Sequence, residues 1–178
     1  KYNKPGEVFL GTIHRLDRPT SGIVLYARTS KALSRMNEQF REKKVQKTYW
    51  AVVENLPPNT IDTLDNYLRK NQKQNKSYVT KGDNGKHAVL EYKLLKKLDN
   101  FYLLKIKPQT GRHHQIRVQL ANIGCIIKGD LKYGAKRSNK DASIHLLAQK
   151  LEFIHPVKKE PITIVAPTPK DSVWDACK

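Results

Sequence analysis

Residues 87–94, His-Ala-Val-Leu-Glu-Tyr-Lys-Leu, alternate so regularly that they leave this part of the chain little choice. Ala88, Leu90, Tyr92 and Leu94 fall on one side, the pattern of a strand with one face in a core and one in water. Residues 101–107 read as a second strand, so the two together predict an antiparallel pair. Residues 47–53, Lys-Thr-Tyr-Trp-Ala-Val-Val, are rich in β-branched and aromatic side chains and read as a third, ended by Leu56-Pro57-Pro58. The continuously apolar run at 22–27 reads as a buried strand. After it, Thr29 or Ser30 can cap a helix carrying Leu33, Met36 and Phe40 at helical spacing. The turn Pro108-Gln109-Thr110-Gly111 feeds a second helix with Ile116, Leu120 and Ile123 in a stripe and Gly124 as its stop. Near the end, Leu146, Leu147, Leu151 and Phe153 are core candidates, and His155-Pro156 begins a turn. Strands outnumber helices without strict βαβ alternation, so the expected class is α+β, with a mixed, mostly antiparallel central sheet and flanking helices.

The 178 residues suffice for one domain with its own core, and neither a repeat nor a linker divides them. Lys and Arg number 34 against 16 Asp and Glu, a formal charge of +18. A surplus of that size exceeds what solubility asks of a small domain and points to a polyanionic partner. With 38% hydrophobic residues the chain is not a disordered polycation. No apolar run approaches the roughly 20 residues of a membrane helix. The two cysteines, Cys125 and Cys177, form no metal-type pair, which fits a reduced, cytoplasmic setting without metal. Residues 67–87 hold six Lys or Arg with Asp83 the only acid; they read as surface loops and strand edges, and as a place where a partner is selected.

Two clusters carry chemistry. In His14-Arg15-Leu16-Asp17-Arg18-Pro19-Thr20-Ser21-Gly22 one carboxylate stands between two arginines, which favour its ionised form and make it a ready nucleophile or base. If the stretch is extended, Arg15 and Asp17 share one side, His14 and Leu16 the other. A polar loop that satisfies its own ion pairs fits the same residues. In Gly111-Arg112-His113-His114-Gln115-Ile116-Arg117-Val118 basic and amide groups occupy the first turns of the second helix, where phosphates are attracted. His113 and Arg117 would share a helical face, from which Arg117 can meet a buried carboxylate. An amphipathic helix with a solvated basic face is the plainer reading. Tyr49 lies on a strand whose other face carries Trp50 and Val52. The stretch from Gly129 to Lys136 starts like a P-loop but lacks Lys directly after its second Gly, and no Gly-x-Ser-x-Gly occurs, so nucleotide and serine hydrolysis lose support.

His14-Arg15-Leu16-Asp17 with Thr20-Ser21-Gly22 resembles the signature of the RluA-like pseudouridine synthases. Lys47-Thr48-Tyr49-Trp50-Ala51 is similar to their Lys-x-Tyr-x-Ala strand. Thr110 to Val118 is similar to their Thr-Gly-Arg-x-His-Gln-hydrophobic-Arg segment. Gly129-Asp130, Tyr133-Gly134, Leu146-Leu147 and Phe153-Ile154-His155-Pro156 match their C-terminal signatures, in the same order. The family's first strand and Asn-Lys-Pro-x-Gly loop stand much further upstream than Asn3-Lys4-Pro5-Gly6 does here. The resemblance therefore implies one catalytic domain over 1–178 whose N-terminal strand is missing, with no S4-type domain visible.

It also implies an isomerase that turns specific uridines of ribosomal or transfer RNA into pseudouridine, without cofactor or metal and as a monomer. Asp17 would be the essential carboxylate, acting at ribose C1′ or C2′; Arg117 would pair with it, and Tyr49 would lie on the target base as a stacking surface or proton acceptor. Arg15 would fill the space the extruded uridine leaves. Arg112, His114 and Gln115 would contact RNA or support the site, and His14 would orient the aspartate loop. The rivals are a catalytically silent RNA-binding domain using the same groove and a metal-dependent nuclease built on His14, Asp17, His113 and His114.

Overall fold

The computed structural model describes residues 9–82 and 84–177; Asn3, Lys4, Pro5, Gly6 and Asp83 lie outside them. Along the chain run β1 (Gly11–Thr12), β2 (Ser21–Gly22), β3 (Tyr26–Ala27), α1 (Ser30–Arg41), β4 (Gln46–Val53), β5 (Ile61–Asn71) and β6 (Lys76–Thr80). There follow β7 (Lys86–Lys97), β8 (Tyr102–Pro108), α2 (Gln115–Asn122), a 3₁₀ turn (Leu131–Tyr133), β9 (Leu146–Ile154), β10 (Pro161–Val165) and α3 (Ser172–Asp175).

β7 and β8 form the antiparallel pair that the alternation predicts, with Tyr92 opposite Ile106. Their inward side chains Ala88, Leu90, Tyr92, Leu104 and Ile106 are buried. The sheet extends from them in the order β10-β9-β4-β8-β7-β5-β6, antiparallel throughout, and β2 adds a parallel pairing to β9. Alternation along β4 sends Ala51 and Val53 to one face, where Ile116 and Leu120 of α2 cover them. Val52 goes to the other face, against Trp174 of α3. Helices thus flank both faces of a mixed, mostly antiparallel sheet, the α+β class expected. α1 closes one end, packing Met36 against Val45 and Leu151.

The predicted helix ends have physical causes. Thr29 is extended and its hydroxyl accepts the Ala32 N–H, so it caps α1, a contact worth about 1 kcal/mol. α2 stops at Gly124, whose φ of +80° lets its N–H reach Ala121 O while the Cys125 N–H reaches Leu120 O.

One expectation needs correction. The apolar run at 22–27 is not one strand. β2 is pressed so close to β9 that a Cβ on Gly22 would stand 2.4 Å from Ala148 O, and Gly22 adopts φ +118°. The chain then leaves the sheet, and Ile23 and Leu25 pack beside Met36 under α1. The stretch 67–87 does carry strand edges, because β5, β6 and the start of β7 form an edge hairpin system. Its inward row hides the strand period: between buried Leu64 and Leu68 stands Asn66, whose Oδ1 accepts a hydrogen bond from Gln119 of α2.

Candidate active site

The Asp17 loop connects β1, paired with β3, to β2, which lies beside β9. It is not extended as a strand: the Thr20 N–H closes a turn onto Asp17 O at 2.9 Å, and the Ile144 N–H anchors Pro19 O at 2.9 Å. In consequence His14, Arg15, Leu16 and Asp17 all line one cleft of about 300 Å³ instead of alternating across two faces. His14 rests on Phe40, ring centres 5.2 Å apart, and its Nε2 accepts the Leu25 N–H at 3.1 Å. Burial and the nearby Lys47 charge push its pKa below the usual imidazole value, keeping it neutral and able to accept that bond.

Arg117 comes from the far side of the cleft, in the first turn of α2. That helix begins later than the sequence predicts. Gln115 reaches back so that its Oε1 accepts from Thr110 Oγ1 (2.7 Å) and from the Arg112 N–H (2.9 Å), while its Nε2 donates to Val89 O. Residues 111–114 are thereby drawn into a turn, and His114 sits at φ +54° ahead of the first helical residue. His113 and Arg117 consequently do not share a helical face. His113 instead bonds Ser77 and Asn75 of the β5–β6 hairpin and stacks on His114 at 3.8 Å.

The guanidinium of Arg117 is buried and doubly held. Its Nε and Nη2 each donate to an Asp130 oxygen at 2.7 Å, a bidentate fork. Nη1 remains to face Asp17 Oδ2 at 3.3 Å, and the group lies 5.1 Å over the Tyr133 ring. Burial opposes the charge, but the hydrogen bonds and charge of Asp130 and Asp17 outweigh it and raise the Arg117 pKa. Asp17 is the more open partner, 28% exposed against 1% for Asp130. Asp130 therefore orients the arginine, and Asp17 faces the cleft.

His114 Nε2 lies 3.8 Å from Asp17 Oδ2, which is no ion pair, because burial and the Arg117 charge push the imidazole down to about 3. Its Nδ1 is 2.9 Å from the Tyr133 hydroxyl. The same hydroxyl accepts the Ser77 N–H at 2.9 Å and donates to Ser77 O at 3.3 Å, so it ties His114 to the β5–β6 hairpin. Burial pushes Tyr133 up to about 12, so it remains a phenol.

Tyr49 lines the same cleft as Arg117, with Leu16, Ile116 and Leu146. Burial and the Asp17 charge push its hydroxyl up to about 12. Arg15 and Arg112 are both exposed at the rim; Arg112 is steadied by donating from Nε to His87 O at 2.8 Å. Gln115 and His114 are buried, and their polar atoms face protein groups. Among the described residues no group of three His, Cys, Asp or Glu is placed to hold a metal ion, and His113, one of the four residues of the nuclease reading, is engaged by Ser77 and Asn75.

The structure thus brings Asp17, Tyr49, Arg117, Arg15, His114 and Gln115 around one cleft, with Arg112 at its edge. Asp130 and Tyr133 have no role assigned from the sequence alone. A signal for Asp130 existed: it is the only acid between Lys128 and Lys140.

A chain with this site and this sheet has known counterparts. The family model for RNA pseudouridylate synthase matches residues 1–122. Ribosomal large subunit pseudouridine synthase C of Buchnera aphidicola subsp. Baizongia pistaciae is 37% identical over 172 residues, covering 92% of this chain and 55% of that protein. An uncharacterized RNA pseudouridine synthase of Zymomonas mobilis is 38% identical over 160 residues, covering 89% and 73%. Among solved structures, human RNA pseudouridylate synthase domain containing 1 superposes with a TM-score of 0.79 over 95% of this chain and 73% of that one, at 24% identity, a likeness of fold. The chain spans about half the length of several curated relatives, the Buchnera protein among them. With its matched residues reaching from the N-terminus through α2, and relatives aligned over nearly all of it, this chain belongs to the RNA pseudouridylate synthase family.

Proposed function

We propose that this domain isomerises uridines of ribosomal or transfer RNA to pseudouridine, with Asp17 as the carboxylate that acts at the target ribose. The observation that carries the reading is Asp17 itself: 28% exposed at the cleft, with Arg117 Nη1 at 3.3 Å and the rest of that guanidinium committed to Asp130. A carboxylate kept beside a fixed cation, in a cleft of nucleoside size, is equipped to attack or deprotonate an extruded sugar. The N1–C1′ bond breaks, the uracil turns, and C5–C1′ forms; the proton lost from C5 is balanced by one gained at N1. Nothing is oxidised or reduced.

The other side chains take supporting parts. Tyr49, protonated at physiological pH, offers its ring as a stacking surface for the uracil. Arg15 at the rim takes the place the base vacates, a step required because the target atom is out of reach in a stacked helix. Arg112 meets phosphate at the edge, while His114 and Gln115 brace Asp17 and the 111–114 turn. The basic hairpin system of β5, β6 and β7 chooses among RNA loops.

The test is to map pseudouridines in total RNA from cells with and without the gene. One or a few positions should lose the modification in the deletion and regain it on incubation of that RNA with the purified protein. An unchanged map, with no conversion on incubation, would overturn the reading in favour of a silent RNA-binding domain.

A further inference from the structure

Lys47 lies on β4, two residues before Tyr49, and lines two clefts at once: the one that holds Asp17 and a neighbouring one of about 600 Å³. Among the described residues its ammonium has no hydrogen-bond or ion-pair partner. The group is only partly exposed, and burial lowers its pKa. Exposed lysines reach water and need no partner, but a half-buried ammonium without one is costly unless an anion completes it. Space for an anion is left at Gly111, where even a Cβ would stand 3.7 Å from Nζ.

The neighbouring cleft extends this positive character. Arg41, Lys43, Lys107 and Arg112 line it, and its one acid, Glu91, already accepts a hydrogen bond from Gln109 Nε2 at 2.8 Å. The floor therefore offers cations to an incoming chain, with its single carboxylate engaged at the side.

We propose that the Lys47 ammonium seats a backbone phosphate next to the extruded nucleotide, and that the single strand leaving the Asp17 cleft runs through the neighbouring cleft toward Arg41 and Lys43. The proposal rests on the RNA reading of the site but does not require turnover. Lys47 is then a binding residue that fixes how far the ribose enters, at the seam between chemistry and strand path.

The test compares wild type, Lys47→Gln, Lys47→Arg and Lys158→Gln, the last an exposed lysine in the β9–β10 turn outside these clefts. Binding of a short oligouridylate is followed by fluorescence anisotropy over a range of salt concentrations, with thermal melting of each variant as a folding check. One phosphate contact on a single strand contributes about 0.7 to the slope of log K against log salt. Lys47→Gln should lose that increment, Lys47→Arg should restore it, and Lys158→Gln should keep the wild-type slope. An unchanged slope in a folded Lys47→Gln would overturn the proposal.

A second arm uses an RNA hairpin containing a mapped uridine, with a methylphosphonate at either linkage flanking it. At one linkage the replacement should weaken wild type but leave Lys47→Gln unaffected; additive losses at both would contradict the seat. Loss of the salt increment in a protein that isomerises no RNA would leave the phosphate seat standing and remove the isomerase reading, so the two fail separately.

Discussion

Arg117 faces two carboxylates, and it treats them unequally. Two nitrogens are committed to buried Asp130 at 2.7 Å, and one faces Asp17 at 3.3 Å. The fork fixes the guanidinium plane before any ligand arrives, which is how a neighbouring group gains orientation without taking part in chemistry. Tyr49 shows the same economy. A phenol held up to about 12 by burial and by Asp17 has no proton-accepting form at neutral pH, so its ring is what it contributes. Tyr49→Phe should therefore keep kcat within about tenfold, while Tyr49→Ala should lose at least about a hundredfold, magnitudes typical of retained and lost positioning. Steady-state kinetics on a modified hairpin checks this, and a collapse in Tyr49→Phe comparable to that of Tyr49→Ala would return the hydroxyl to the mechanism.

Between strands and helices, the placement of the Asp17 loop depends on how closely β2 can approach β9. Gly22, with φ +118° and only 2.4 Å from Ala148 O to the point a Cβ would occupy, permits that approach. Gly22→Ala should cost about 1–3 kcal/mol in urea unfolding and lower turnover further by displacing the loop. A variant as stable and as active as wild type would show that the close approach is dispensable. β7 was legible in the sequence because its alternation marks one buried face and one wet one, whereas β4, covered on both faces at Ala51, Val52 and Val53, was legible from its β-branched and aromatic side chains. β5, between β7 and the edge strand β6, was not, since Asn66 occupies its inward row and is satisfied by Gln119, a partner from a distant helix. The start of α2 was obscured for a similar reason. Gln115 reaches back to the Arg112 N–H, a side-chain bond that no periodicity announces. Asp17 and Arg117 stood out as a motif, yet the fork to Asp130 depends on a 3₁₀ turn that packs beside α2 and leaves no local spacing to read.

Across the domain, the charge of +18 and the buried imidazoles act in different pH ranges. His114 binds its proton near 6.5 in an unfolded chain and near about 3 when folded. His14, His113 and His145 are also lowered, each chiefly by burial. Between the two values the unfolded state holds more protons, so stability rises with pH there. The contribution is complete above 6.5 and is lost progressively as pH falls toward 3. The urea midpoint should drop on acidification through this window, and His114→Gln should flatten part of the drop. A midpoint independent of pH in the wild type would contradict neutral burial. No helix among the described residues is long and apolar enough to cross a membrane. Arg112 lines the two clefts already described and a third that carries Arg69, Lys70 and Lys86, so basic side chains gather where a polyanion is expected.

In the proposed isomerase Asp17 does the chemistry while the basic surface does the binding, and Asp17→Asn separates the two with almost no change in shape. Turnover and affinity should be measured on the same RNA hairpin, at one salt concentration, for wild type and variant. Pseudouridine formation should fall below detection in Asp17→Asn, with the dissociation constant changed by no more than a few-fold. Isomerisation persisting at a comparable rate in that variant would remove Asp17 from the reaction and the proposed mechanism with it.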